Sequence, residues 1–447
     1  MTSAEVVAAH LARIDEVNPH LNAVVRVLSE EALEAAERAD RALAAGERPG
    51  PLHGVPCTVK ENVDLAGTPT TEGVPALAEA VAPIDAPVVE RLRAAGAIPI
   101  GRTNLPDFGL RVHTDSCLHG LTRNPWHPDR TAGGSSGGEA SALASGMTPI
   151  GIGNDIGGSL RNPAHCCGIA SIKPTTGRVP HARAIPPEDG ILADQLMAVQ
   201  GVMARRVADV RLGLEVVAGA HPRDPGSLPV PLEPSDGAPP RRVALLAEPP
   251  GGGTEPGIAD VVRAAGRILA DRGYEVVDAT PPAYEQALEI WSRWLVNELR
   301  VLFPVLLPLM GPDGQRFLEL AEEIVPPLDL AGHTTTMIER RAVARAWSAF
   351  LAEHPLVLSP VWTKPAFPHG FDIDSAEQAA ATLELMRPVL PANLLGLPAA
   401  AVPAGEVGGL PVGVQILGRP FRELACLEAA QAIEDAVGVR VPIEPVT

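Results

Sequence analysis

The chain has 447 residues, 46% of them hydrophobic, which suffices for a sizeable core in one large α/β unit or in two to three smaller domains. Its formal net charge of -18, with no clustered Lys and Arg to meet phosphates, excludes a nucleic-acid surface. No run of 18 apolar residues is present to span a membrane, and MTSAEVV lacks a leader pattern. The five cysteines, Cys57, Cys117, Cys166, Cys167 and Cys426, show no CxxC spacing, so neither a disulfide framework nor a zinc site is indicated and a cytoplasmic location is expected. Gly 43 and Pro 47 are spread among apolar segments, which marks a loop-rich enzyme rather than disorder.

Residues 2–45 read as helical, because Thr2 and Glu5 have capping-box spacing, Val6, Val7, Leu11, Ile14 and Val17 recur at helical intervals, and a second helix follows from Ser29. After the break at Pro49–Pro51, Val55 to Val59 form a short strand with Lys60 at its end. A helix from Pro87 runs into the strand IPIGRTN, a helix-to-strand unit of layered α/β folds. RNPWHPDRTAG is a loop by composition.

The stretch from Thr131 to Lys173 then holds two glycine and serine clusters, which shape backbone rather than fill a core. Between them lie a small-residue helix, Glu139 to Gly146, and a buried strand, Met147 to Ile152. A Pro-rich loop covers 180–190, a helix is expected from Ala198 to Ala218, and 219–240 reads as an exposed connection. Strand RRVALLAE, a helix over Gly257 to Gly273 and strand YEVVDAT follow. Residues 283–353 are mostly helical and carry most of the large side chains. PLVLSPVW, NLLGLPAAAVPAG and LPVGVQILG return to strands before a helix from Glu423. If these late strands complete the early sheet, residues 1–447 make one α/β domain.

Serines on glycine loops suggest a nucleophile, and a serine hydroxyl needs a base beside it. His53, His113, His119, His127 and His165 lie in Pro- or Gly-rich surroundings and are expected in loop or packing roles. Lys60 is the better candidate, because full burial lowers a lysine by as much as ~3 to 5 units; the alternative is a solvated lysine after a strand. The backbone N–H groups of Ile156, Gly157, Gly158 and Ser159 can converge on an oxyanion, or the loop can be a tight glycine turn without chemistry. Gly134 to Gly138 satisfies GxSxG, which would make Ser136 the nucleophile, but that motif needs a strand just before it. No GK[ST] is present and the GxGxxG register fails at Ile156, so no phosphate cradle is read.

The residues resemble the amidase signature family. GGSSGGEA, the small-residue helix, the GxDxGGS loop, R-x-P-A-x-x-C-G and K-P-T-x-G-R run from Gly133 to Arg178. HGVPxxVKEN around Lys60, the GRTN strand end and the C-terminal GLPAAxVPAG and LPVGxQILGRPF extend the likeness over nearly the whole chain. The resemblance implies a single layered α/β/α domain with a mixed central sheet flanked by helices, a signature core at about 50–200 and a variable, specificity-bearing helical region at about 283–353.

It further implies Ser159 as nucleophile, Ser135 as a bridging serine on a cis peptide after Gly134, and Lys60 as base. Ile156, Gly157, Gly158 and Ser159 form the oxyanion hole, and Ser136 and Asp155 brace the loops. Arg161 pairs with Asp155 or with a substrate carboxylate, the first being favoured. Asn154 stands where Ser or Thr is common, and Val202 replaces a usual proline. No metal or cofactor is required. The implied substrates are small amides, with esters or carbamates open, and the variable segments 180–196, 283–350 and the loop around Trp362 favour apolar or aryl-bearing ones. A homodimer is open, as are the rival readings of a glutamine-hydrolysing component of a tRNA-dependent amidotransferase and of a non-hydrolytic small-molecule binder with a decayed site.

Overall fold

The computed structural model describes residues 1–232, 241–439 and 443–446. One 11-stranded sheet runs through the chain. Its strands are β1 (Val24–Val27), β2 (Pro56–Lys60), β3 (Ile98–Thr103), β4 (Ile150–Asp155), β5 (Ala170–Lys173) and β6 (Val199–Ala204), then β7 (Arg242–Leu245), β8 (Glu275–Asp278), β9 (Leu356–Pro360), β10 (Ala399–Val407) and β11 (Leu410–Gly418). Their spatial order is β1-β3-β2-β4-β6-β5-β10-β11-β9-β7-β8. β2 is parallel to β3 and β4, and β7 is parallel to β8 and β9. The remaining neighbours are antiparallel, so the sheet is mixed and the late strands do complete the early ones.

The helices are α1 (Ser3–Leu21), α2 (Ser29–Ala44), α3 (Pro87–Ala94), α4 (Gly137–Ala144), α5 (Arg161–Cys167), α6 (Leu192–Met197) and α7 (Val207–Val217), followed by α8 (Pro256–Asp271), α9 (Tyr284–Leu306), α10 (Pro312–Ile324), α11 (Leu330–Glu353), α12 (Ala376–Leu385), α13 (Leu390–Leu394) and α14 (Glu423–Val437). Alternation along the strands sorts their side chains to two faces. Val59, Ile152, Val202 and Val414 pack with Val88, Leu214, Val262 and Ile433 of α3, α7, α8 and α14. Met203, Val357, Ala401 and Leu417 face the other way, onto Leu143, Cys166, Trp294, Trp347 and Leu390 of α4, α5, α9, α11 and α13. Each fully buried Val, Leu, Ile or Met among them contributes roughly 1.5–3 kcal/mol. The protein is a single α/β domain with a large mixed sheet flanked by helices.

Thr2 caps α1 in the expected box, its hydroxyl accepting from the Glu5 N–H while Glu5 accepts from the Thr2 N–H. Several segments differ from the sequence reading. The expected pair of N-terminal helices is split by β1, which adds an antiparallel edge to β3. The expected helix 198–218 is a strand, β6, and then α7, because the continuously apolar VQGVMA suits a buried central strand as well as a helix and its period does not discriminate. The strand expected at Met147–Ile152 begins at Ile150, since Met147 instead packs among Val7, Leu11 and Ile14 of α1. Of the expected connection 219–240, residues 233–240 lie outside the described residues. Gly219 and Ala220 are tied down by Arg91, whose guanidinium donates to their carbonyls at 2.9 and 2.7 Å.

Candidate active site

β2 and β4 lie side by side and parallel, so their C-terminal ends open at the same sheet edge, where α/β folds commonly place ligands. Val59 points into one core, so period two turns Thr58 and Lys60 to the opposite face. Thr58 bonds the Glu139 carboxylate of α4. Lys60 Nζ lies 2.7 Å from Ser135 Oγ and 2.6 Å from Asn154 Oδ1. Asn154 is oriented by its own amide N–H, which donates to Asn62 Oδ1 at 2.8 Å and leaves its oxygen for the lysine. Burial pulls Lys60 down from 10.5 to about 7, against the opposing charges of Glu72, Asp155 and Glu139. The same burial lifts Glu139 to about 7.

The Gly134–Ser135 peptide bond is cis. A side chain at Gly134 would meet the His113 nitrogen at 2.5 Å, so the glycine there answers a close backbone approach. Ser135 and Ser159 both line the cavity described below, whereas Ser136 does not. The Ser136 hydroxyl is fully buried and directed at the Asn154 carbonyl, 3.4 Å away. The stretch before it, taken as loop by composition, contains an extended segment, His127–Thr131, paired antiparallel with Arg123–Asn124. A strand thus does precede the GxSxG pattern, but the serine of that pattern faces away from the cavity.

In the second cluster, Asp155 accepts from the N–H groups of Gly158 and Leu160 at 2.8 and 3.1 Å. Arg161 meets the same carboxylate through Nε and Nη2, both at 3.0 Å. Its other bonds go to the Val389 carbonyl, Gln415 and Asn393. Although burial alone would raise it, the Arg161 guanidinium holds the Asp155 carboxyl well below the usual carboxylate range. Both side chains are fully enclosed, so Arg161 pairs with Asp155 and is out of reach of a substrate carboxylate. Within this loop the Gly158 N–H is already donated to Asp155.

A cavity of about 260 Å³ opens above these groups. Asn62, Asp64, Glu72, His181, Arg183 and Asp194 form a polar side, where Arg183 is balanced by Glu72 at 3.3 Å and Asp194 at 3.9 Å. An apolar wall is built from Trp291, Leu295, Leu299 and Phe303 of α9, with Phe317 and Leu318 of α10. The segments 180–196 and 283–350 therefore do line it. Trp362 does not; it is fully buried in the core behind Gly158.

Sequence reasoning missed Asn62 and Asn154 as the lysine's support, Phe108 and Leu110 on the loop after β3, and Met386 beyond α12. The KEN tripeptide and the departure at position 154 were the available signals for the asparagines. Among the described residues, no three His, Cys, Asp or Glu side chains are grouped to hold a metal, and no helix is long and apolar enough to cross a membrane.

The Amidase family profile matches residues 5–427. An indoleacetamide hydrolase from Bradyrhizobium diazoefficiens is 43% identical over 98% of this chain and 84% of its own length. A glutamyl-tRNA(Gln) amidotransferase component from Chloroflexus aurantiacus is 34% identical over 97% of this chain and 93% of its own. The solved structure of a bacterial aryl acylamidase superposes with a TM-score of 0.83 at 27% identity, covering 98% of this chain and 93% of that one. The protein is an amidase, a hydrolase of C–N amide bonds, and it belongs to the amidase signature family.

Proposed function

We propose that the protein hydrolyses small aryl-bearing amides through an acyl-enzyme on Ser159, with Ser135 and Lys60 as the proton relay. The observation that carries this reading is the buried Lys60, pulled down to about 7 and so about half neutral at pH 7, 2.7 Å from Ser135 Oγ in a cavity that Ser159 also lines. Neutral Lys60 takes the Ser135 proton while Ser135 takes that of Ser159, whose oxygen bonds the acyl carbon. The N–H groups of Ile156, Gly157 and Ser159 stabilise the resulting oxyanion, and Gly158 serves the loop through Asp155 instead. As the C–N bond breaks, Ser135 returns the proton to the departing nitrogen. Water, deprotonated by the same relay, then attacks the ester, releasing the carboxylic acid and the Ser159 hydroxyl. Esters and aryl carbamates fit the same sequence of steps.

The apolar α9 and α10 wall favours an aromatic acyl group, as in the substrate for which the indoleacetamide hydrolase relative is named. Glutamine, the substrate of the rival amidotransferase reading, carries an ammonium and a carboxylate that only the polar side could meet, and there Arg183 is already paired with Glu72 and Asp194. The test is fluorophosphonate labelling beside a panel of indole-3-acetamide, an anilide, an aryl ester, an aryl carbamate and glutamine. Wild type and Ser136→Ala take the label, Ser159→Ala does not, and the aryl amide is turned over fastest. Labelling retained in Ser159→Ala and lost in Ser136→Ala would overturn the nucleophile, and a preference for glutamine would overturn the substrate.

A further inference from the structure

We infer that Trp291 is a positioning residue through which the substrate-facing helix α9 sets the oxyanion loop. This rests on the catalytic reading above. The Trp291 indole N–H donates to the Ile156 carbonyl at 3.0 Å. Ile156 and Gly157 share one trans peptide, whose C=O and N–H point to opposite sides of the same plane. A bond that fixes the Ile156 oxygen therefore also fixes the direction of the Gly157 N–H, one of the three amides left for the oxyanion.

The glycine at 157 fits this arrangement. Gly157 is not among the residues with positive φ, so its backbone does not demand glycine. A Cβ there would stand 2.7 Å from Trp291 Cζ2 and 3.3 Å from Met386 Cε, so the indole edge occupies the space a side chain would need. Gly158 differs: its φ is +103° and Val389 packs on it. Of the two adjacent glycines, one serves the turn and the other admits the tryptophan.

Trp291 also belongs to the cavity wall. With Leu295, Leu299 and Phe303 it repeats at four-residue intervals along α9, so these side chains share one helix face toward the cavity. An aromatic acyl group seated on that face touches the ring whose N–H holds the oxyanion peptide. Acyl-pocket occupancy and oxyanion geometry thus meet in one side chain.

Trp291→Phe keeps an aromatic ring and removes the donor. The expected result is a kcat lower by about tenfold, short of the 10²–10³ typical of losing an oxyanion donor itself, with KM little changed. An aldehyde inhibitor, which forms a tetrahedral oxyanion adduct with the nucleophile, loses affinity by the same factor, while the product carboxylate binds as before. Should the phenylalanine variant fold poorly, benzothienylalanine at position 291 replaces the indole N–H by sulfur at nearly constant shape and gives the same readout. A kcat within twofold of wild type, or parallel weakening of aldehyde and carboxylate, overturns the inference. If Ser159→Ala remains active, the catalytic reading falls and this inference with it; if Ser159→Ala is dead while Trp291→Phe is unaffected, this inference alone falls.

Discussion

Two lysines sit at strand ends on this sheet, Lys60 on β2 and Lys173 on β5, and both are fully buried with burial pulling them down to about 7. Their surroundings differ. Lys60 faces a serine hydroxyl and an asparagine oxygen beside the cavity. Lys173 donates to the backbone carbonyls of Pro174 and Leu397, at 3.0 and 2.9 Å, and lies away from the cavity. A lowered pKa therefore marks burial, and the partner decides whether the free base has a proton to take. The buried arginines, among them Arg102, Arg111, Arg161 and Arg178, could not substitute at either place, because a guanidinium stays charged.

The largest test of this contrast is activity. Lys60→Ala should lower kcat/KM by about 10²–10⁴, the usual worth of a positioned base. Lys173→Met should leave the rate per folded molecule close to wild type. Steady-state kinetics on the same amide, corrected for folded fraction by circular dichroism, checks both. Equal losses would erase the distinction between the two lysines.

A smaller effect sharpens what the Lys60 pocket does. In wild type, kcat/KM should rise with pH through about 7 to a plateau, because the neutral amine is the active form and the ammonium predominates below that pH. Glu139, also at about 7, is a second group that could set this profile. Asn154→Asp places a carboxylate where the amide oxygen now lies 2.6 Å from Nζ, which favours the ammonium and raises the lysine by about 1–3 units. The rising limb should move upward by that amount, with activity recovered at alkaline pH. If the limb stays while Glu139→Gln moves it, the ionisation belongs to Glu139 and not to the lysine.

Most of the layered fold was legible because amphipathic helices and short apolar strands carry their own periods, and because caps such as Thr2 with Glu5 are local. β6 was not, since a uniformly apolar segment satisfies either period and only its place between β4 and β5 makes it a strand. The catalytic candidates were legible from the glycine loops and the family resemblance. The Asn62–Asn154–Lys60 chain was not, since these residues are 92 and 94 positions apart and meet only through the parallel pairing of β2 with β4. Trp291 was visible as a large apolar residue on a helix, but its bond to Ile156 spans 135 positions and has no sequence signature.

The smallest expected effect concerns Lys173 and stability. In the unfolded chain a lysine holds its proton to about pH 10.4, whereas in the native protein Lys173 releases it near 7. At this site the unfolded state therefore binds more protons between pH 7 and 8, which raises native stability with pH, while Glu139, lifted to about 7 in the native protein, makes a smaller opposite contribution. Lys173 accounts for about 1 kcal/mol of that rise, and Lys60 for a similar share. Lys173→Met removes one share, so wild type should gain about 1 kcal/mol more than the variant between these two pH values in urea unfolding. The variant also leaves the Pro174 and Leu397 carbonyls without their donor, which lowers its stability at every pH and so shifts the intercept rather than the slope. Above about pH 8.5 the buried thiols of Cys57, Cys166, Cys167 and Cys426 act in the opposite direction, because burial raises them and they ionise only in the unfolded chain. The comparison is therefore made below that value. Parallel pH profiles for wild type and Lys173→Met would mean that Lys173 stays charged in the native protein, and the likeness between the two lysines would end there.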